Sequence, residues 1–128
     1  MKTNECDISF KSREIVFISQ PFSGMTEEEV MNERDKIVKW LSKTMGDDRE
    51  YVVIDQYHQP EPLITDNKVI RVWYLGSSIR KMSSADLIVF SENWKNAKGC
   101  KIEHKVAEEY GMKYIELSNG WDDILKEE

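Results

Sequence analysis

The chain has little of what several protein classes require. Among its 128 residues it has two histidines and two cysteines, Cys6 and Cys100. It therefore has neither a disulfide framework nor the paired spacing of a zinc site. No apolar run exceeds four residues, which is far too short to cross a membrane. The first 13 residues are polar and of mixed charge, unlike a secretory signal, so we expect a cytoplasmic protein without a metal centre.

Positive charge is also scarce. The chain has 18 Lys and Arg residues against 24 Asp and Glu residues, which gives a net charge of -6. Proteins that bind nucleic-acid polymers or anionic membranes normally present a basic surface, so the acidic balance argues against both partners. The composition, with 40% apolar and 33% charged residues, indicates a globular protein whose length fits one domain.

Short apolar segments alternate with amphipathic ones along most of the chain. We interpret residues 1–13 as an N-terminal extension and 14–128 as a single domain. The first helix has the clearest start, because Thr26 and Glu29 have the spacing of a capping box. The alternation predicts a mostly parallel sheet of four to five strands in a three-layer α/β sandwich. Strands are predicted at 15–18, 51–54, 87–90 and 114–117, and helices at 26–45, 69–82, 100–110 and 122–126.

The loops that follow the strands are the places where function is expected. In sheets of this kind, ligands bind beyond the carboxyl ends of the strands, where the strand order reverses. The loops at these ends are 20–25, 55–67 and 91–99, and the second is long for a compact domain. Ser23 and Gly24, in the first loop, can offer backbone donors to a phosphate or to sugar hydroxyls. An ordinary strand-to-helix turn explains the same residues, and that alternative stays open.

Glu103 is the residue whose position says most about chemistry. On the helix predicted over 100–110 it shares a stripe with Cys100, Ala107 and Tyr110, so its carboxylate is expected to point toward the sheet. We expect it in the first helical turn, where the dipole and the free backbone N–H groups keep a carboxylate ionised. An ionised, partly buried carboxylate can attack a sugar carbon. A glutamate near a helix start also occurs for dipole reasons alone, so the spacing leaves both interpretations open.

Two further side chains, Trp94 and His104, lie where they could be partners of a ligand or of Glu103. Trp94 is a candidate for stacking on a flat ring, because it lies in a polar loop at the predicted ligand-binding edge. Aromatic side chains belong to the core more often than to ligand sites. His104 follows Glu103 directly and projects about 100° away around the helix, so no dyad of the two is expected.

Four segments of the chain occur in an order that resembles a known family. They are VFISQP at 16–21, WYLG-x-SI at 73–79, SAD at 84–86, and GCKIE followed by A-x-x-YG at 99–111. Together they resemble the nucleoside 2-deoxyribosyltransferase superfamily, and most of all its small bacterial and phage branch of uncharacterised deoxyribosyltransferase-like proteins. The resemblance covers about residues 14–117 and implies a flavodoxin-like α/β sandwich.

The resemblance also implies roles for individual residues. Glu103, in the motif Gly99-x-x-x-Glu103, corresponds to the nucleophile that takes the 2-deoxyribosyl group from one base before a second base or water releases it. The chain departs from the transferases where they have acidic residues, since it has Ser77-Ser78 and Ala97-Lys98 there. Other members hold a 5′-phosphate with the turn after the first strand. The residues expected to bind substrate, from the loops and the resemblance together, are Phe17, Gln20, Pro21, Ser23, Gly24, Ser78, Trp94 and Gly99.

Two functions follow as expectations. The first is an enzyme that cleaves or exchanges the N-glycosidic bond of a (deoxy)nucleoside or nucleoside 5′-monophosphate, with Glu103 as nucleophile and no cofactor. The second is a nucleotide-binding or sensing module that keeps the pocket and has lost efficient chemistry, which the missing acidic residues favour. A NAD-derived substrate has the same kind of bond and stays open. The partner is then a small molecule, and the resemblance implies a homo-oligomer whose neighbouring subunit completes the pocket.

Overall fold

Four parallel strands form the centre of the part of the molecule that the structure describes. A computed structural model describes residues 12–55 and 67–127. Across the sheet the strands of this part of the chain run in the order β2-β1-β3-β4 and are all parallel, as in a flavodoxin-like sheet. The predicted α/β sandwich is therefore confirmed. The elements are β1 (Ser12–Ser19), α1 (Glu27–Met45), β2 (Arg49–Val53), α2 (Asn67–Met82), β3 (Leu87–Phe90), α3 (Lys98–Glu109) and β4 (Tyr114–Glu116), with 3₁₀ helices at Trp94–Asn96 and Trp121–Glu127.

The observed elements lie close to the predicted ones. Strand β3 coincides with its prediction, and β1 begins two residues before the predicted domain start at Glu14. Helix α3 begins at Lys98, two residues earlier than predicted, and a 3₁₀ turn at Trp94–Asn96 lies in the loop before it. Residues 56–66 of the predicted long loop, and residues 1–11 of the predicted extension, lie outside the described residues.

Alternation along the strands divides the core into two layers. In β1, Val16 and Ile18 pack on the same side of the sheet as Leu41 of α1. Phe17 points to the other side, where it packs with Ala107 of α3 and with residues of α2. This period of two is what a strand covered on both faces requires. None of the described helices combines the length and the apolar character needed to span a bilayer.

The strand order creates a switch point between β1 and β3. After β1 the chain crosses to β2 on one side, and after β2 it returns to β3 on the other side. The connections that leave β1 and β3 therefore diverge and open a crevice at their carboxyl ends. Ser19 and Phe90 are partners in the register. Gln20 and Ser91 are thus the first residues beyond the sheet at this crevice.

Helix α1 begins with the capping box that the sequence predicts. Thr26 Oγ1 accepts a hydrogen bond of 3.1 Å from the backbone N–H of Glu29. The Glu29 carboxylate accepts one of 2.9 Å from the backbone N–H of Thr26. Two donors that the start of a helix leaves unpaired are satisfied in this way. The cap fixes where α1 leaves the turn that follows β1.

We expect Thr26→Ala to lower the free energy of unfolding by about 1 kcal/mol, because it removes the side-chain acceptor at the helix start. Urea denaturation measures this change. Thr44→Ala is the matched control, since Thr44 Oγ1 donates to the Trp40 carbonyl within the same helix and caps no unpaired donor. The control is expected to stay within about 0.5 kcal/mol of the wild type. Equal losses in the two variants would contradict the stabilising effect assigned to the cap.

Candidate functional site

A cavity of about 1200 Å³ opens at the carboxyl ends of β1 and β3. The turn after β1, one face of α2, and the segment from Ser91 to Glu103 contribute to its walls. Small-molecule sites typically have volumes of about 300–1,000 Å³. The crevice at the switch point is therefore large enough for a ligand of nucleotide size.

Glu103 of α3 lies in the wall of this cavity and is only 6% exposed. Ser19, at the end of β1, donates a hydrogen bond of 2.6 Å from Oγ to Glu103 Oε1. Burial raises the pKa of Glu103 from 4.5 to about 7, and the hydrogen bond from Ser19 acts in the opposite direction. The predicted orientation of Glu103 toward the sheet is thus what the structure shows. Tyr110, predicted on the same stripe, is instead 81% exposed, because it lies beyond Glu109, the last residue of α3.

The charge of Glu103 differs from the expectation. Glu103 is the sixth residue of α3, since the helix begins at Lys98 with Ala97 as its N-cap. The backbone N–H groups left free at a helix start belong to the first four residues, so they do not stabilise this carboxylate. The expectation that the helix start keeps Glu103 ionised is wrong. Burial dominates, and near neutral pH about half of the carboxyl groups are protonated.

Cys100 lies one turn before Glu103 and is also buried. The pKa of its thiol is raised to about 11, mainly by burial; a hydrogen bond with Ser19 lowers it, and the negative charges of Glu103 and Glu33 raise it. The thiol therefore stays protonated at neutral pH, and a protonated thiol is a poor nucleophile. Cys100 is thus a small, buried side chain of the cavity wall.

A second carboxylate, which the sequence analysis missed, lines the same cavity. Glu33 of α1 accepts a hydrogen bond of 2.6 Å from Gln20 Nε2. Burial raises its pKa, and so does the charge of Glu92, whereas the bond from Gln20 and the charge of Lys36 lower it. A signal was present, because Glu33 is three residues after Val30 and four before Ile37. Both of these are buried, so all three lie on one face of the helix.

Most of the residues predicted to bind substrate come together around Glu103. They arrive from the turn after β1, from α2 and from the start of α3, which are distant in sequence. Two basic side chains, Arg71 and Lys98, also line the cavity and are exposed to solvent. The predicted residues that line the cavity are Gln20, Pro21, Ser23, Ser78 and Gly99.

The other three predicted residues lie elsewhere. Phe17 is fully buried in the core between the sheet and helices α2 and α3. The ring of Trp94 is stacked on the side chain of His104 rather than facing the cavity, with centroids 4.0 Å apart and planes at 7°. Gly24 is exposed in the turn after β1, with a φ of 78° that favours glycine, and it is not among the residues that line the cavity.

The described residues thus define an α/β domain with a cavity at the switch point of a parallel sheet. The chain belongs to the family described as "Domain of unknown function (DUF4406)", which matches residues 49–116. The matched stretch runs from β2 through β4 and includes Ser78, Gly99 and Glu103 of the cavity wall. It leaves out β1 and α1, which carry Ser19 and Glu33, and the turn between them, which carries Gln20.

A solved structure shares the fold. It is described as a conserved protein from Enterococcus faecalis V583, and it matches with a TM-score of 0.52 and 10% sequence identity. The match covers 82% of this chain and 63% of that chain, so this protein spans less than two thirds of its length. At this identity the likeness shows the fold alone. No curated protein matches this chain.

We expect Glu103→Gln to change how stability depends on pH. Between pH 4.5 and about 7 the folded protein holds a proton at Glu103 that the unfolded chain has released. The contribution of Glu103 to wild-type stability therefore falls as the pH rises through this range. The variant lacks this proton, so relative to wild type it is expected to gain about 3 kcal/mol between pH 4.5 and pH 8. Urea denaturation at both pH values measures the difference.

Glu108→Gln is the control, because Glu108 lies on the same helix and is exposed. Its stability relative to wild type is expected to stay nearly constant over the same pH range. A constant difference between wild type and Glu103→Gln would show that burial does not raise the pKa of Glu103.

Proposed function

We propose that this protein cleaves or exchanges the N-glycosidic bond of a (deoxy)nucleoside or nucleoside 5′-monophosphate, with Glu103 as the nucleophile. The observation that carries the proposal is a buried carboxylate in the wall of a nucleotide-sized cavity, held at one oxygen by Ser19. The resemblance to nucleoside 2-deoxyribosyltransferases supports it, because Gly99 and Glu103 of their motif both line this cavity.

The reaction we propose has two displacements at one carbon. Glu103 Oε2 attacks C1′ of the sugar, and the N-glycosidic bond breaks with its electron pair going to the base, which takes a proton from water. The product is a glycosyl ester on Glu103. A second base, or water, then attacks C1′ and releases the carboxylate. Ser19 acts as a positioning residue, since its hydrogen bond orients the carboxylate and favours its ionised form.

The electrostatics of the cavity suit this chemistry. Attack at C1′ passes through a transition state with positive charge on the sugar. Glu103 and Glu33 both line the cavity, and carboxylates in a site of low dielectric stabilise such a charge strongly. Arg71 and Lys98 line the same cavity and are exposed. They support the form of the proposal in which the substrate carries a 5′-phosphate.

Two apolar side chains support the oligomer that the resemblance implies. Val72 of α2 and Ile102 of α3 line the cavity and are 68% and 44% exposed. Exposed apolar groups beside a cavity are favourable positions for contact with another protein surface. We propose that a neighbouring copy covers them and narrows the entrance.

A nucleotide-binding or sensing module is the second candidate. It is favoured by the raised pKa of Glu103, because the protonated carboxyl group does not attack a sugar carbon. It is also favoured by Ser78, which lines the cavity in the region where the transferases have an acidic residue. Such a module would be stabilised by nucleotides without releasing their bases.

Chromatography for free base is the test of the proposed reaction. The protein is incubated with deoxynucleosides, ribonucleosides, their 5′-monophosphates and NAD, with and without an acceptor base. We expect base release or exchange from at least one class, and a loss of at least about a thousandfold in Glu103→Gln, because an amide cannot form the ester. The exposed Glu108→Gln is expected to keep wild-type activity.

Two other outcomes would change the proposed function or the role of Glu103. Release at an undiminished rate by Glu103→Gln would remove Glu103 as the nucleophile. No release from any substrate, with thermal shifts still present, would favour the binding module.

The rate should also depend on pH in a direction that follows from the Glu103 pKa. Activity needs the carboxylate, so the rate is expected to rise with pH and reach half of its maximum near pH 7. Ser19→Ala removes the hydrogen bond that lowers the pKa of Glu103, so the midpoint should move to higher pH. Ser84→Ala, at an exposed position in the turn before β3, should leave it unchanged. A midpoint that stays in place in Ser19→Ala would contradict the role assigned to Ser19.

A further inference from the structure

Two buried polar atoms of the cavity wall have no hydrogen-bond partner among the described residues. They are Gln20 Oε1 and Ser91 Oγ. Both side chains line the cavity, and they are only 4% and 1% exposed. Buried polar atoms are nearly always paired in folded proteins, so an unpaired atom at a ligand site points to a group that a ligand supplies.

The two atoms belong to neighbouring positions of the sheet edge. Ser19 and Phe90 are the last residues of β1 and β3, and they are partners in the register. Gln20 and Ser91 directly follow them. The backbone N–H of Ser91 also donates to the Ser19 carbonyl at 3.0 Å. Alternation directs Ser19 toward α3 and Gln20 toward α1, as their hydrogen bonds to Glu103 and Glu33 show. The unpaired pair and the nucleophile thus approach the cavity from opposite faces of the sheet.

Glu33 determines which end of the Gln20 amide has no hydrogen-bond partner. An ionised carboxylate only accepts hydrogen bonds, so Glu33 takes the NH₂ end of the amide through Gln20 Nε2. The amide oxygen, an acceptor, is the end that stays unpaired. Ser91 adds a hydroxyl, which both donates and accepts.

The charges around this pair favour a neutral ligand group over an anionic one. Glu33 and Glu92 are close enough to influence each other, and Lys36 offsets them only in part. A phosphate would be repelled here, and the basic side chains that line the cavity are Arg71 and Lys98. A hydroxyl group can donate to Gln20 Oε1 and exchange a hydrogen bond with Ser91 Oγ.

We propose that Gln20 Oε1 and Ser91 Oγ form a hydroxyl-binding subsite that holds the sugar of the substrate, with Glu33 orienting the Gln20 amide. This inference rests on the proposed function, since it takes the ligand to be a nucleoside or nucleotide. The subsite sets specificity: it recognises a sugar hydroxyl from the side of the cavity opposite Glu103, so that C1′ of the sugar faces the carboxylate.

Binding of nucleosides that lack one hydroxyl at a time tests the subsite. Isothermal titration calorimetry would compare each ribonucleoside with its 2′-deoxy, 3′-deoxy and 5′-deoxy forms, using Glu103→Gln as the parent so that no turnover occurs. We expect one of the three deletions to weaken binding roughly tenfold, the value of one good hydrogen bond. In the parent carrying Ser91→Ala or Gln20→Met, that deletion should cost less than about threefold, because the partner atom is already gone.

Thermal stability separates binding from a structural role. Ser91 Oγ has no partner in the folded protein, so Ser91→Ala should leave the melting temperature unchanged or raise it. Ser84→Ala is the control and should change neither affinity nor hydroxyl preference. Glu33→Gln can hold either end of the Gln20 amide, so it should weaken the hydroxyl preference while Glu33→Asp retains more of it.

Each remaining outcome overturns the inference. If every deletion costs the same in Ser91→Ala and Gln20→Met as in the parent, the subsite is wrong while the proposed function stands. A large fall in the melting temperature of Ser91→Ala would assign its hydroxyl to the fold instead. If no nucleoside or nucleotide binds and the wild type releases no base, both the subsite and the proposed function fail.

Discussion

The hydrogen bond between Ser19 and Glu103 is the contact on which the candidate site depends. It joins the end of β1 to α3 across 84 residues of chain, so a buried polar contact links the switch point of the sheet to the helix that carries Glu103. The contact is buried, and an unpaired carboxylate there would be costly. Ser19 therefore stabilises the fold and positions Glu103 at the same time. Burial keeps the pKa of Glu103 near neutrality, so its charge responds to pH in the physiological range.

The topology of the sheet explains why the polar groups gather at one place. In a parallel sheet all carboxyl ends lie on one edge, and the switch between β1 and β3 opens the crevice there. Side-chain alternation then distributes successive residues of one strand between both faces. The Ser19 side chain is thus hydrogen-bonded to α3, whereas the Gln20 side chain is hydrogen-bonded to α1. A cavity built in this way has a carboxylate from each helix layer, Glu103 of α3 and Glu33 of α1.

Most of the fold and part of the candidate site could be predicted from the sequence. The other features of the site depend on contacts between elements that are distant in sequence. The alternation of apolar runs predicted the four strands of the described residues. The spacing of Thr26 and Glu29 predicted the start of α1. Both signals are local in the sequence. The inward position of Glu103 also followed from helical spacing. Its protonation did not, since the pKa of Glu103 is raised by burial, and burial depends on how elements distant in sequence pack together. Trp94 was predicted from its loop to be available for stacking, but its partner is His104, which only the packing of the start of α3 brings beneath it.

A covalent intermediate on Glu103 is the central claim, and trapping it is the most direct measurement. A nucleoside whose sugar carries fluorine at C2′ slows both displacements and should let the glycosyl ester accumulate. Mass spectrometry of the quenched protein would then show the added mass of one sugar, and peptide mapping would place it on the segment that contains Glu103. The account predicts this adduct in the wild type and its absence in Glu103→Gln. Base release without any adduct, or an adduct on another residue, would contradict it.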